Sequence, residues 1–209
     1  MSVLSKLASA LNRADEVPNQ ILANEIAESH DQAAVRELVT NLSNPDKAIQ
    51  SDCIKVLYEV GGLQPDLIED DVDAFVALLG SRNNRLVWGG MTALGAIAGQ
   101  KAPAIWKHID TIIDSTESGS AITQDWGVRV LAAVSAANKT YEKRIFPFLI
   151  TFLKNCRPKD LPRHAESAFI AVNSANRGEI LALLQTRKAS LRPAQSKRVE
   201  QLIRKINAL

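Results

Sequence analysis

The side chains best able to bind a ligand are two tryptophans and nearby charged residues at helical spacing. Trp88 and Trp126 each lie in a segment where small and apolar residues recur three and four positions apart, and Asp125 precedes Arg129 by one turn. At 100° per residue these positions lie opposite or beside the apolar stripe of a helix. The predicted partner-binding surface comprises Trp88, Trp126, Asp125, Arg129, Arg163, His164 and Lys55.

Trp88 has the clearest reason to contact a partner. A large ring opposite the buried face of its helix has no core to enter, so its apolar area stays exposed unless something covers it. The alternative is that Trp88 lies along its helix and packs on Tyr58 or Lys55 of the neighbouring segment. The sequence leaves both interpretations open.

The residues beside Trp126 also allow two interpretations. Trp126 lies on the flank of the predicted surface, where packing between repeats is the alternative to binding. Asp125 and Arg129, four residues apart, fit an ordinary helix-surface ion pair that contributes a few tenths of a kcal/mol. Their functional alternative is a shared binding site with the two tryptophans.

Enzymatic and metal-dependent functions find no support in the residue spacing. The three histidines, His30, His108 and His164, lie far apart, so we expect no zinc site. The acidic cluster Glu69–Asp73 lacks the glycine and the alternating ligands of a calcium loop and suits a helix N-terminus. We predict no catalytic residues, no metal and no cofactor.

These candidate residues belong to segments that repeat at a nearly fixed interval. Large apolar markers stand 37, 37 and 38 residues apart at Leu57, Leu94, Leu131 and Phe169. Four positions before each marker the residue is small: Cys53, Gly90, Gly127 and Ala165. A small residue there allows two paired helices to approach closely, which predicts a stack of helix pairs with an all-α fold.

The segments NNRLVWGGMTALGAIA (83–98) and DKAIQSDCIKVLYEVG (46–61) resemble the HEAT repeat family. The resemblance implies a right-handed α-α superhelix, an armadillo-like α-solenoid of about five antiparallel helix pairs whose second helices line a concave groove. It covers residues 31–176 as core repeats. We therefore predict one domain over 1–209, with capping helices at 1–30 and 177–209.

Charge is distributed unevenly along the chain, although the formal net charge is only +2. Residues 1–138 hold 10 Lys+Arg against 18 Asp+Glu, and residues 139–209 hold 15 against 5, giving −8 and +10. A basic terminal third is either a solvated face or a footprint for a polyanion. The basic run from Arg187 to Lys205 has no interleaved aromatic residues, which argues against stacking on single strands.

No stretch approaches the roughly 20 apolar residues of a membrane span, and two cysteines far apart give no disulfide framework. We expect a cytoplasmic protein that does not bind membranes. The preferred hypothesis is a non-enzymatic scaffold or adaptor that binds a protein or peptide in its groove, as a monomer or with weak self-association. The alternative is a nucleic-acid-binding or DNA-repair-type HEAT-like protein that uses the basic third and the groove around Trp88 and Arg129.

Overall fold

The computed structural model describes residues 2–209, and within that range the chain is helical and contains no β-strand. The predicted all-α fold is confirmed. Two compact units, Met1–Ile112 and Ile113–Leu209, are referred to below as unit 1 and unit 2. The predicted division into capping helices and core repeats stays a prediction.

Unit 1 is built around two long helices that correspond to the repeated second-helix segments. Its helices are α1 (Val17–Ser29), α2 (Gln32–Thr40), α3 (Lys47–Leu63), α4 (Val72–Ala77), α5 (Asn84–Ile97) and α6 (Ala102–Trp106), and α7 (Ile109–Ser118) crosses the boundary into unit 2. Helix α3 packs against α1, α2 and α5, and α5 also packs against α4. Residues of α3 and α5 therefore dominate the core of this unit.

Unit 2 repeats the same plan around a third long helix. It contains α8 (Ala121–Ala137), α9 (Lys139–Asn155), α10 (Leu161–Ala168), α11 (Arg177–Lys188) and α12 (Pro193–Asn207). Helix α8 packs against α9 and α10, while α12 packs against α10 and α11. No helix in the described part of the chain is long and apolar enough to cross a membrane.

The second helices begin where the sequence places a side-chain cap. Asp46 accepts a hydrogen bond from the Ala48 amide, and Asn83 accepts one from the Arg85 amide. Ser120 does the same for α8 through the amide of Thr123. Each cap satisfies an amide that the first turn of a helix leaves without an intrahelical partner.

The small residues of the repeat lie where helices approach closely. A Cβ added to Gly90 would lie 2.8 Å from the Phe75 carbonyl oxygen, and one added to Gly127 would lie 2.1 Å from Thr116 Oγ1. Cys53 and Ala165 occupy the equivalent positions and are fully buried. The predicted role of this position in helix packing is therefore confirmed.

The marker positions agree with the prediction in three repeats and differ in the fourth. Leu57, Leu94 and Leu131 are fully buried inside long helices. Phe169 is half-buried and lies just beyond the end of α10, in a 3-10 turn at Phe169–Ala171. The fourth second helix is eight residues long, so its marker lies outside the regular helix.

The N-terminal segment, predicted to hold capping helices within residues 1–30, contains no α-helix between Ser2 and Glu16, and Met1 lies outside the described residues. Ahead of α1 the regular structure is limited to a 3-10 helix at Val3–Lys6, and Leu11 is half exposed. The amide of Ser9 instead donates to Asp52 Oδ2 at 2.8 Å. Asn19 donates to Asp52 Oδ1 at 2.7 Å and accepts from the amide of Ala8. These side-chain acceptors replace the carbonyls that an α-helix would have supplied.

Candidate binding surfaces

Trp88 lies on α5 and packs against Tyr58 of α3. Their ring centroids are 5.6 Å apart, with a tilt of 52° between the planes. Both side chains are half-buried. Of the two interpretations that the sequence left open, Trp88 therefore packs on Tyr58 of the neighbouring segment. Part of its indole ring stays accessible on the surface of unit 1.

Lys55 does not lie on the outer surface of α3, so the prediction that it faces outward is wrong. Its side chain is 7% exposed, and Nζ lies 3.0 Å from Glu16 and 2.5 Å from Glu59. Nζ is also 5.0 Å from the centre of the Tyr58 ring. Burial lowers the pKa of the Lys55 ammonium, but hydrogen bonds to Glu59, Tyr58 and Glu16 outweigh it and raise that pKa.

These contacts hold the aromatic pair in place. Glu16 also pairs with Arg85 of α5, so one carboxylate joins the segment before α1 to both long helices. Thr92, one turn after Trp88, is buried and donates to the Trp88 carbonyl oxygen at 2.7 Å. We call Trp88, Tyr58, Lys55, Glu16 and Glu59 the unit 1 aromatic cluster.

Asp125 joins α8 to α10 in unit 2. Its Oδ1 lies 2.8 Å from Arg163 Nη2 and 2.8 Å from His164 Nε2. The helix-surface pair predicted between Asp125 and Arg129 is therefore wrong. Arg129 instead places its guanidinium 5.0 Å from the centre of the Trp126 ring, a cation–π arrangement. Trp126 is half-buried, whereas Arg129 is exposed.

His164 is 2% exposed, so the prediction that it faces outward is also wrong. Its ring lies 5.3 Å from that of Phe152. Because the Asp125 carboxylate only accepts hydrogen bonds, His164 Nε2 carries the hydrogen of this contact. Nδ1 then has no partner among the described residues. Burial lowers the pKa of His164, although Asp125 opposes this shift.

The predicted set is thus divided into two groups. Trp88 and Lys55 lie in unit 1, and the other five residues lie together on α8 and α10 of unit 2. Trp126, Arg129 and Arg163 offer accessible surface, while His164 and Lys55 position their neighbours. Sequence reasoning missed Phe152, although its spacing of four from Phe148 marks an aromatic pair on α9.

Neither cysteine has the features of a nucleophile. Burial raises the pKa of the Cys53 thiol to about 12 and also raises that of Cys156. The thiolate is the reactive form, so both groups remain protonated near neutral pH. Among the described residues there is no group of three or more His, Cys, Asp or Glu placed to hold a metal ion.

No protein-family model and no curated protein sequence matches this chain. Similar solved structures include a designed armadillo repeat protein in complex with the peptide (KR)4, with a TM-score of 0.69 and 12% identity over 98% of this chain and 99% of that one. An engineered protein of the Northeast Structural Genomics Consortium has a TM-score of 0.64 and 19% identity, covering 100% and 98%.

A third structure, Kap121p bound to Pho4p, has a TM-score of 0.67 and 14% identity over 96% of this chain and 22% of that one. At these identities the comparisons establish the fold alone. The close helix contacts at Gly90 and Gly127, with buried Cys53 and Ala165 at the equivalent positions, agree with a fold built from repeated helix pairs. The chain has the fold of a HEAT/armadillo-like helical repeat protein.

Proposed function

We propose that the chain is a non-enzymatic scaffold that binds segments of a protein partner through the surfaces around Trp88 and Trp126. The observation that carries this proposal is that each unit presents a half-buried tryptophan held by a neighbouring side chain. Tryptophan is enriched among residues that contribute most to protein–protein binding. A ring with accessible area and a fixed position suits that role.

The contacts around each ring reduce the entropic cost of binding. Trp88 rests on Tyr58, which in turn lies beside the buried Lys55 ammonium. Trp126 is covered on one side by Arg129. Ordering a flexible side chain on association costs about 0.5–1.5 kcal/mol, and a ring that is already ordered avoids much of this cost.

Proteins with this fold provide further support for a protein or peptide partner. The designed armadillo repeat protein is seen with the peptide (KR)4, and Kap121p is seen with Pho4p. Residues 1–112 hold 9 Lys+Arg against 15 Asp+Glu, and residues 113–209 hold 16 against 8, giving −6 and +8. The two units would therefore favour partner segments of opposite charge.

Internal contacts of the basic residues favour a protein partner over nucleic acid. Arg187 donates to the carbonyl oxygens of Leu153 and Cys156 at 3.0 and 2.8 Å, after the manner of a C-cap for α9. Two further cations form ion pairs, Lys188 with Glu200 and Arg198 with Glu166. Much of the basic run thus stabilises the fold, which leaves fewer cations for phosphates.

The proposal is tested by replacing each tryptophan with alanine and measuring the affinity for a partner. Proteins captured from lysate are identified, and their binding segments are synthesised for calorimetric titration. We expect Trp88→Ala or Trp126→Ala to weaken binding by about tenfold or more, as is usual for a central aromatic residue.

Matched controls remove exposed apolar side chains elsewhere in the same units, by Leu63→Ala and Ile170→Ala, which are 49% and 61% exposed. Affinity that survives both tryptophan substitutions would refute the proposal. A mobility shift with DNA or RNA at low salt that disappears at moderate salt would instead support the nucleic-acid alternative.

A further inference from the structure

A cleft of about 470 Å³ lies in unit 2, between the C-terminal half of α9 and the junction of α7 with α8. Phe148 and Phe152 of α9 line it with half-buried rings whose centroids are 6.0 Å apart. Exposed polar residues such as Thr151 and Asn155 surround these rings. The cleft is therefore an open surface with an aromatic base, and none of the residues predicted from the sequence to bind a partner lines it.

The aromatic base favours an apolar side chain as the occupant. Two half-buried phenylalanine rings one turn apart retain apolar area in contact with water. Removing such apolar area from water favours association with an apolar group. A small ligand normally buries most of its surface in an enclosed pocket, whereas an open cleft suits a side chain that projects from a polypeptide segment.

Among the charged residues that line the cleft, Glu117 and Arg157, the one whose side chain is not paired is negative. Glu117 lines the cleft, and Asp114 lies one turn earlier on α7. Both are exposed, and neither carboxylate has a partner within residues 2–209. Arg157, the cation of the cleft, is paired with Asp160 through a 2.6 Å contact.

The charge of the whole unit does not cancel this local charge. Residues 113–209 carry a net charge of +8, but exposed charges beyond about 8 Å are screened at physiological ionic strength. A cation seated in the cleft is affected mainly by the adjacent carboxylates. The local chemistry thus fits an apolar side chain with a basic neighbour.

The thiol in the cleft is not a reactive nucleophile. Cys156 lines the cleft, but its Sγ donates to the Leu153 carbonyl oxygen at 3.4 Å and burial raises its pKa. A protonated thiol that is engaged in a hydrogen bond is a poor nucleophile. The cysteine contributes to the wall of the cleft and to its shape.

We propose that this cleft is a docking site for a protein segment that presents a bulky apolar side chain next to a lysine or arginine. The site adds a second kind of contact to the proposed scaffold function and rests on that function only in taking a protein as partner. Because neither Trp88 nor Trp126 lines the cleft, its test leaves both tryptophans unchanged.

The probes are three fluorescein-labelled peptides in the same glycine–serine background, measured by fluorescence anisotropy. One presents a phenylalanine between two lysines, the second replaces the lysines with glutamates, and the third replaces the phenylalanine with alanine. We expect the first peptide to bind about tenfold or more tightly than either of the others. If the alanine peptide binds as tightly as the first, the cleft does not select an apolar side chain. If the glutamate peptide binds as tightly or more tightly, the cleft does not favour a basic neighbour.

Two variants locate the binding. Thr151→Trp places a large ring in the cleft from an exposed position and should reduce affinity for the first peptide at least tenfold. Its control is Thr186→Trp, because Thr186 is another exposed threonine whose hydroxyl donates to the carbonyl four residues earlier. Unchanged affinity in Thr151→Trp would overturn the assignment to this cleft.

The charge variant is independent of the steric one and remains informative should Thr151→Trp fail to fold. Glu117→Lys should reduce the affinity for the first peptide about fivefold. Glu179→Lys, at another exposed carboxylate of unit 2, should leave that affinity unchanged. Trp126→Ala should also bind this peptide normally. If Trp126→Ala loses binding of the first peptide while Thr151→Trp retains it, the peptide binds at the surface around Trp126 and not in the cleft.

Discussion

Trp88 and Trp126 stand at adjacent repeat positions, six before Leu94 and five before Leu131, and the surfaces around them are held in different ways. In unit 1 the polar neighbours turn inward, because Lys55 is buried between two carboxylates and supports the aromatic pair. In unit 2 the acid joins two helices, because Asp125 pairs with Arg163 and His164 of α10. The ring of Trp126 has the exposed guanidinium of Arg129 over it instead. Outward positions of one repeat can therefore serve either to fix an aromatic ring or to link adjacent helices.

The largest effect that separates the two surfaces should come from Lys55→Met. This change keeps the apolar stem but removes the buried cation, so Glu16 and Glu59 lose their shared partner. Both carboxylates are partly exposed, so we expect a loss of about 2 kcal/mol in the free energy of unfolding, below the value for a fully buried pair. Denaturant titration measures this loss, and iodide quenching should report a more accessible Trp88.

The control for this variant is Lys47→Met, at an exposed lysine in the first turn of the same helix. An equal change in stability for both lysine variants would show that the buried ion pairs do not hold the unit 1 aromatic cluster.

Asp125→Ala should have a slightly smaller effect, on unit 2. It removes the hydrogen-bond partner of the buried His164 and one partner of Arg163. Leaving a buried polar group without its partner costs about 1–3 kcal/mol. Chemical denaturation should show this loss, while Asp114→Ala, at an exposed carboxylate, should change stability little. Equal stability of the two variants would contradict a linking role for Asp125.

The free energy of unfolding should depend on pH because His164 is buried. Its folded pKa lies below the usual value of 6.5, so the unfolded chain binds this proton more readily. Stability is therefore fully retained above about pH 6.5 and falls as the pH decreases below it, by no more than about 1.4 kcal/mol per pH unit. His164→Gln should reduce this slope, whereas His30→Gln, at an exposed histidine, should preserve it. A slope that is the same in both variants would exclude His164 as its source.

The smallest effect should come from Arg129→Ala. The guanidinium and the Trp126 ring form an exposed cation–π pair that contributes about 0.5–1 kcal/mol. We expect a stability change near the lower end of this range and a clear increase in acrylamide quenching of Trp126, measured with Trp88 and Trp106 replaced by phenylalanine. Quenching that does not change would show that Arg129 does not cover the ring.

Periodicity predicted the parts of the fold that depend on local packing. The spacing of Leu57, Leu94 and Leu131 identified three long helices, and the small residue four positions earlier identified their close contacts. The N-terminal segment was not predictable in this way, because its amides bond to Asn19 and to Asp52, which lies 43 residues beyond Ser9. Helical spacing carries no information about such distant acceptors.

The candidate site was predicted in composition more than in geometry. A helical wheel places His164 and Lys55 on the solvent side of their helices, yet both side chains are buried. His164 contacts Asp125 and Lys55 contacts Glu16, in each case 39 residues earlier in the chain. This separation is close to the repeat length, so the partners come from neighbouring repeats. Aligning equivalent positions would have found the pair between Asp125 and Arg163, which occupy the same position in successive repeats.

The contacts of Asp52 tie the stretch ahead of α1 to the buried interior of unit 1. This carboxylate is 8% exposed and takes its donors from Ser9, which lies ahead of α1, and from Asn19, in the first turn of α1. A recombinant protein that began at Val17, where the first α-helix begins, would retain Asn19 but leave Asp52 without the Ser9 amide. Removing a donor from a buried carboxylate is costly. The stretch ahead of α1 is thus part of the folded unit, although it contains no α-helix.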